Sequence, residues 1–447
     1  MARTSNSGKG SFTVGAGAGF AGVRIEPAVE MARSGEVDAI ALECLAERTL
    51  VNAIRTREAN PNAGYDPRLR RRFTPLLPHV GPRCRVVTNL GAAHPLAAAH
   101  ATAALARELG RGDLRIAAVV GDDVRDRVQD VQWTQTCDDG EWIGAHVYLG
   151  LDPMLAALDE GADVVITGRV ADSSLVAAAP VQALGLADAS LASALTIGHL
   201  LECSGQLTGG NLTEPGVADL AGDALTYIGY PIADIGAHGS TATIRLLPNR
   251  SGRLNVVSCT LQLLYEVHDP AAYVTPDAVL DFTDVAFEQV AQNRVVVSGM
   301  RASARPERLK VIGFLARRGL IADIELAYSG TGALGRAQLA ADVLRTRLPR
   351  ELGVADFIVD LVGVNSVLGA GALPLRCEPP ELRVHVSAQC ADADLAQAVE
   401  DEVYALTISG PAGGGSVRSE RRGRVESITG FLPRDAVKPR IEWARAS

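Results

Sequence analysis

The chain has 447 residues, enough for two or three domains; 47% are apolar, only 4% are aromatic, and the formal charge is −9. Cores that must be built from Ala, Val and Leu, in a chain with 45 glycines, suit α/β layers better than an all-β sandwich. The acidic balance argues against nucleic acid or an anionic membrane surface as a partner.

In chain order, SFTV (11–14) reads as a strand that stops at the glycines of GAGAGFAG (15–22). RIEPAVEMARSG then reads as a helix ended by Gly35. DAIALE (38–43) is the next strand, with helix towards Arg57. RVVTNLG (85–91), RIAAVVGDD (115–123) and DVVITGR (163–169) repeat the pattern, and PLAAAHATAALARELG (95–110) is an Ala-rich helix between them. Nearly continuous apolar strands alternating with helices predict α/β architecture: a parallel doubly wound sheet in the N-terminal half, residues 1–222. Ligands of such sheets bind at the carboxyl ends of the strands. Glu43, Asn89, Asp122, Asp123 and Arg169 are thereby expected on one rim.

The texture changes after about residue 225. STATIRLLP (240–248), RLNVVSCTLQLLYEV (253–267) and RVVVSGM (294–300) read as strands. LKVIGFLAR (309–317) and LIADIELAY (320–328) are expected to bracket a turn at Arg318-Gly319. Helices over 332–348 and 396–409 flank the alternating strand ELRVHVSAQC (381–390). This predicts a mixed α+β second domain over 223–447.

Seven cysteines are scattered and never form CxxC, which argues against a disulfide framework and a zinc knuckle and fits a reduced cytoplasm. MARTSNSGKGS has no apolar leader, and no run approaches the ~18 apolar residues of a membrane span. A cytoplasmic protein without membrane contact is expected. Self-association is expected for an enzyme of this size.

Four stretches carry candidate chemistry. Gly17, Gly19 and Gly22 form a GxGxxG whose amides could meet an anion, with Arg24 reinforcing it and Glu43 placed to hold a ribose. The same glycines equally suit a phosphate or carboxylate of another ligand, or only a tight βα turn. In ECLAER (43–48), Glu43 is a candidate general base beside Arg48, and Cys44 a candidate nucleophile if positive charge lowers its pKa. A buried inert thiol is the alternative for Cys44. In GHLLECSGQLTGG (198–210), His199, Glu202 and Cys203 share a helix face, with Gly209 and Gly210 as ligand-facing backbone. HExxH spacing is absent and no second cluster exists, so a hydrogen-bonded His199–Glu202 pair is expected rather than a metal. Asp122 and Asp123 could meet a cation or hydroxyls, or cap a helix. Arg169 with Asp172 could hold a substrate carboxylate or each other. His268, in YEVHDP, reads as structural.

GAGAGFAGVRIEPA, ECLAERT, NPNAGYDPRL, VVTNLGAAHP, VVGDD, TGRVADSS, GHLLECSGQLTGG, GYPIADIGAHGS and QLLYEVHDPAAYVTPD occur in that order. Together they closely resemble the acyclic terpene utilisation, or AtuA-like, family. The resemblance implies work on a branched carboxylic acid or its CoA thioester, as a lyase or hydratase; CoA could carry the substrate, and the sequence assigns no cofactor. Beside it, the residues suit proton abstraction by Glu43 near Arg48 and Arg169, with Asn89 and backbone amides as donors to a developing enolate. Two other classes stay open: a nucleotide-cofactor oxidoreductase using the glycine stretch, and a non-catalytic partner subunit of an acyl-CoA carboxylase-type complex.

Overall fold

Runs of Val, Ile and Ala that are apolar on both sides can only be strands buried on both faces. The computed structural model describes residues 10–137, 139–212, 220–248, 250–369 and 378–444; Cys377 lies outside them. Its first strands are β1 (Ser11–Gly19), β2 (Ala39–Glu43), β3 (Arg85–Thr88), β4 (Ile116–Val120), β5 (Gln132–Trp133), β6 (Glu141–Val147) and β7 (Val164–Thr167). The helices among and after them are α1 (Glu26–Ser34), α2 (Glu47–Ala59), α3 (Leu69–Leu76), α4 (Pro95–Glu108), α5 (Asp152–Asp159), α6 (Asp172–Leu184) and α7 (Leu191–Leu201).

β1, β2, β3, β7 and β4 lie side by side in that order, all parallel. Alternate residues face opposite layers. Val14, Ala16, Ala39, Ala41 and Val87 join one core with residues of α5, α6 and α7. Ile40, Leu42, Val86, Val164 and Ile166 join the other with residues of α1, α3 and α4. Helices on both faces thus explain the unbroken apolar runs.

Two differences from the sequence reading concern extent. β8 (Ile232–Gly236) pairs antiparallel with β1, and β9 (Thr241–Arg245) and Arg294–Ser298 continue the sheet. At the other edge Arg440–Trp443 pairs with β4. The sheet therefore draws strands from beyond residue 222, because the free edge of β1 is completed by chain that follows much later. One compact unit takes in the chain up to Thr136, Ile143–Phe314 and the residues from Ser427 on; the other takes in Cys137–Trp142 and Leu315–Glu426. In the second unit, residues 320–329 of the strand Arg308–Ser329 pair antiparallel with Glu381–Cys390, which pairs with Phe357–Val362. Helices Ala333–Leu352 and Ala393–Ser409 supply Ala337, Leu344, Val399 and Val403 to that unit's core.

The other differences are local. Arg318-Gly319 lies inside the strand Arg308–Ser329 rather than at a turn. Val256–Leu264 is a helix, not a strand, because Asn255 and Ser258 form a reciprocal cap: Asn255 Oδ1 accepts the Ser258 N–H at 2.8 Å and Ser258 Oγ accepts the Asn255 N–H at 3.0 Å. Above all, β1 continues through the glycines to Gly19, and α1 begins only at Glu26. Gly17 is a strand residue whose bare Cα lets β2 and α1 close in: a Cβ there would stand 2.6 Å from Ile40 and Leu42 and 2.8 Å from Ala28. The stretch is a packing device in a strand and not a glycine loop at a helix N-terminus.

Candidate active site

At the carboxyl end of this parallel sheet lies a cavity of about 760 Å³. Each strand delivers its contribution in the residues where its apolar run stops. β1 ends in Gly19 and Phe20; β2 ends in Glu43 and leads through Leu45 to Arg48; Arg169 follows β7, and Asp172 opens α6. Glu202 and Cys203, just past α7, line the same cavity.

Glu43 is only 8% exposed, and its Oε1 accepts two hydrogen bonds, from Asn89 Nδ2 at 3.0 Å and from the Leu45 N–H at 2.8 Å. Asn89 Oδ1 in turn accepts the Cys44 N–H at 2.7 Å. Asn89 stands behind the cavity wall and fixes the carboxylate above it.

Arg169 is 2% exposed and fully engaged. Its Nε donates to the Val170 carbonyl at 3.0 Å, and its guanidinium also donates to the Leu45 carbonyl and to Asp172. The charged plane lies 4.8 Å from the Tyr148 ring centroid, and Lys310 Nζ lies 4.8 Å from the same centroid. Burial pushes the Tyr148 hydroxyl up to about 12, and the neighbouring Asp172 and Glu47 carboxylates add to the rise. Burial also raises Asp172, to about 7; Glu43 and Glu266 add to the rise, and the Arg169 charge offsets only part of it. This raised carboxyl group stands on the cavity wall, paired with Arg169.

Asp122 lies beneath Arg169. Its Oδ2 accepts the Arg169 N–H at 2.8 Å and lies 2.9 Å from His146 Nδ1. Gly168 makes room for it, since a Cβ there would be 2.4 Å from that oxygen. Burial opposes a charge on His146, but Asp122 outweighs it, so His146 is raised from the ordinary histidine value.

The Glu202 side chain meets His199: Oε1 and Nδ1 are 3.0 Å apart, and His199 Nε2 lies 3.0 Å from the Leu263 carbonyl oxygen. The imidazole stacks on Phe282, with centroids 5.4 Å apart, and lies 4.8 Å from the Tyr273 centroid. Gly19 fixes where this corner sits, because a Cβ on it would come within 2.4 Å of the Glu202 carbonyl oxygen and the Cys203 carbonyl carbon. Gly19→Ala is expected to destabilise the fold by about 1–3 kcal/mol through this overlap, read as a lower urea midpoint.

Of the expected site residues, Gly19, Glu43, Arg48, Arg169, Asp172 and Glu202 line one cavity. His199, Asn89 and Asp122 stand behind it. The others lie elsewhere. Asp123 pairs with exposed Arg57 at 3.2 Å, and Arg24 donates to the Leu225 and Thr226 carbonyls. Gly22 sits in the turn after β1. The amides of Gly209 and Gly210 donate to the Gln206 and Gly205 carbonyls, which removes them as anion donors. Cys44 is buried off the cavity, and burial drives its thiol far above the ordinary cysteine value, against a thiolate role. Cys203 is pushed up to about 12 by burial. Native protein treated with iodoacetamide at neutral pH is expected to leave Cys44, Cys84 and Cys259 unmodified, read by peptide mass spectrometry; rapid labelling of Cys44 would reverse its assignment as a packing residue.

Tyr148, Tyr273, Glu266, Arg308 and Lys310 also line the cavity without having been singled out in the sequence, and His268, read as structural, lines it with them. Glu266 carried one visible trace of its role, the YEVHDP motif, and it adopts φ +60. Among the described residues, no group of three or more His, Cys, Asp or Glu side chains is placed to hold a metal ion.

The sequence pattern described as "Acyclic terpene utilisation family protein AtuA" matches residues 12–443. The chain belongs to that family. No curated protein matches it. Among solved structures, the crystal structure of an aldoxime dehydratase in complex with butyraldoxime aligns at 13% identity and a TM-score of 0.14. That alignment covers 46% of this AtuA chain and 57% of the dehydratase chain. No described helix of this AtuA chain is long and apolar enough to cross a membrane.

Proposed function

We propose that the chain is an enzyme acting on a branched carboxylic acid or its CoA thioester, as a lyase or hydro-lyase working through a carbanion or enolate. The observation that carries this reading is the presence of differently housed carboxyl groups around one cavity beside a buried guanidinium. Glu43 is held by two N–H donors, whereas burial raises Asp172 and Glu202. Several carboxyl groups around one cavity can share the base and acid roles of one reaction. Glu43 takes a proton from the carbon next to the carbonyl group. Arg169, fixed by two backbone carbonyls and a carboxylate, opposes the charge that develops. Arg48, Arg308 and Lys310 at the same cavity suit the negative end of a carboxylate or of a CoA chain. Membership of the family supports the substrate class.

A thermal-shift panel tests this with branched acids, their CoA thioesters, free CoA, NAD, NADP and divalent metals. A ligand at a hundred times its dissociation constant stabilises the fold by about 2.7 kcal/mol. A shift with a branched acid or acyl-CoA, lost in Arg169→Ala, is expected. A shift with NAD alone would overturn the reading in favour of an oxidoreductase.

A further inference from the structure

We propose that Glu202 is the proton donor of the cavity and that His199 is the positioning residue that shares the proton with it. This rests on the lyase or hydro-lyase reading above. A carbonyl oxygen only accepts, so the Leu263 contact at 3.0 Å requires a hydrogen on His199 Nε2. The other ring nitrogen faces Glu202 Oε1 at 3.0 Å. An unprotonated Nδ1 against an ionised carboxylate would set two acceptors in contact, with the ring buried and only the carboxylate facing the cavity. The geometry therefore places one further proton between them, as imidazolium with carboxylate or as imidazole with carboxylic acid. The ring cannot turn to escape the contact, because Phe282 and Tyr273 pack against it. His199 also lies in the last turn of α7, where the helix dipole favours a protonated histidine.

The surroundings keep that proton in place. Burial raises Glu202, a charge on His199 opposes the rise, and Asp172 from α6 and Glu266 from the segment after the helix Val256–Leu264 add to it. Burial opposes a charge on His199, but Glu202, the Leu263 carbonyl and Glu266 outweigh it, so His199 is raised. Cys203 and Tyr273 face the pair with their own ionisation suppressed by burial, so neither offers a competing charge. His199 is shut away behind the wall, whereas Glu202 lines the cavity. The pair stores a proton on the protein side and presents it on the substrate side.

In loss of water from a 3-hydroxy acid or its thioester, Glu43 takes the proton from C2, and that C–H electron pair becomes the new C2–C3 π bond. The C3–O bond breaks with its electrons going to oxygen, which receives the Glu202 proton and leaves as water. Glu43 then gives its proton to solvent, and the Glu202–His199 pair regains one from it.

The first measurement needs no substrate: ¹⁵N spectra of histidine-labelled wild-type protein. His199 Nε2 is expected to remain protonated from about pH 6 to 8, with the Nδ1 signal showing a shared proton; the opposite tautomer, or a bare Nδ1 at neutral pH, overturns the pairing. The second measures exchange of the C2 proton in D₂O alongside water loss. In Glu202→Gln, exchange is expected to stay within a few-fold of wild type while water loss falls at least ~10²-fold. Equal loss of both, or of neither, overturns the donor role. In His199→Asn, the alkaline limb of the pH profile is expected to move to lower pH, since a shared proton is lost above the pH at which either partner alone would lose it. An unmoved profile overturns the positioning role. If wild type exchanges no compound of the panel, the lyase reading fails and the donor role fails with it, and the ¹⁵N result still decides the pairing.

Discussion

Glu43→Gln is expected to cut turnover by about 10²–10⁴-fold, the usual contribution of a positioned general base, with little change in the urea midpoint. The expectation of a sound fold follows from the geometry. Both hydrogen bonds to Glu43 run from N–H donors to Oε1, and the amide oxygen of glutamine accepts them equally well. The substitution therefore removes basicity and leaves the shape. Turnover should fall without a matching rise in KM, because the lost interaction belongs to the transition state. C2 proton exchange in D₂O should vanish in the same variant, which separates the base step from the acid step assigned to Glu202. A Glu43→Gln enzyme that still exchanged that proton within a few-fold of wild type would remove Glu43 from the mechanism.

The rim was legible in the sequence for a physical reason. A strand buried on both faces must be apolar throughout, so the first polar side chain marks the point where the sheet ends and ligand space begins. Glu43, Asn89 and Arg169 were visible in this way. The rule says nothing about which side of the rim a residue takes, and the consecutive aspartates show the consequence. Asp122 turns inward to the Arg169 N–H, while Asp123 turns outward to Arg57. The glycines of β1 misled because sequence alone does not separate freedom of the backbone from lack of bulk. At Gly17 and Gly19 what matters is the missing Cβ, since Ile40, Leu42 and the backbone at Glu202 occupy its place. Val256–Leu264 was equivocal because a short apolar run suits strand and helix alike, and the Asn255–Ser258 cap decides it. Tyr148, Tyr273 and Lys310 arrive through tertiary packing from segments with no periodicity pointing at the rim.

The dependence of Arg169 on Asp122 gives the second large effect, on stability. Asp122→Ala is expected to destabilise the protein by about 3–5 kcal/mol at pH 6, because it strands a buried charged histidine and leaves the Arg169 N–H without its acceptor. The pH dependence has a definite sign. The His146 pKa is raised in the folded protein, so its pairing with Asp122 contributes in full below the unfolded histidine value near 6.5 and is lost as pH rises through the folded value. The penalty of the substitution should accordingly shrink at about pH 9 towards the ~1–3 kcal/mol of unsatisfied buried hydrogen-bonding groups. Urea denaturation of both proteins at the two pH values measures this. A penalty that stayed the same or grew with pH would mean that His146 is neutral, and that Asp122 serves only the Arg169 backbone. The site would in either case lose the support that aims Arg169, so ligand-induced thermal shifts should weaken in this variant even where it remains folded.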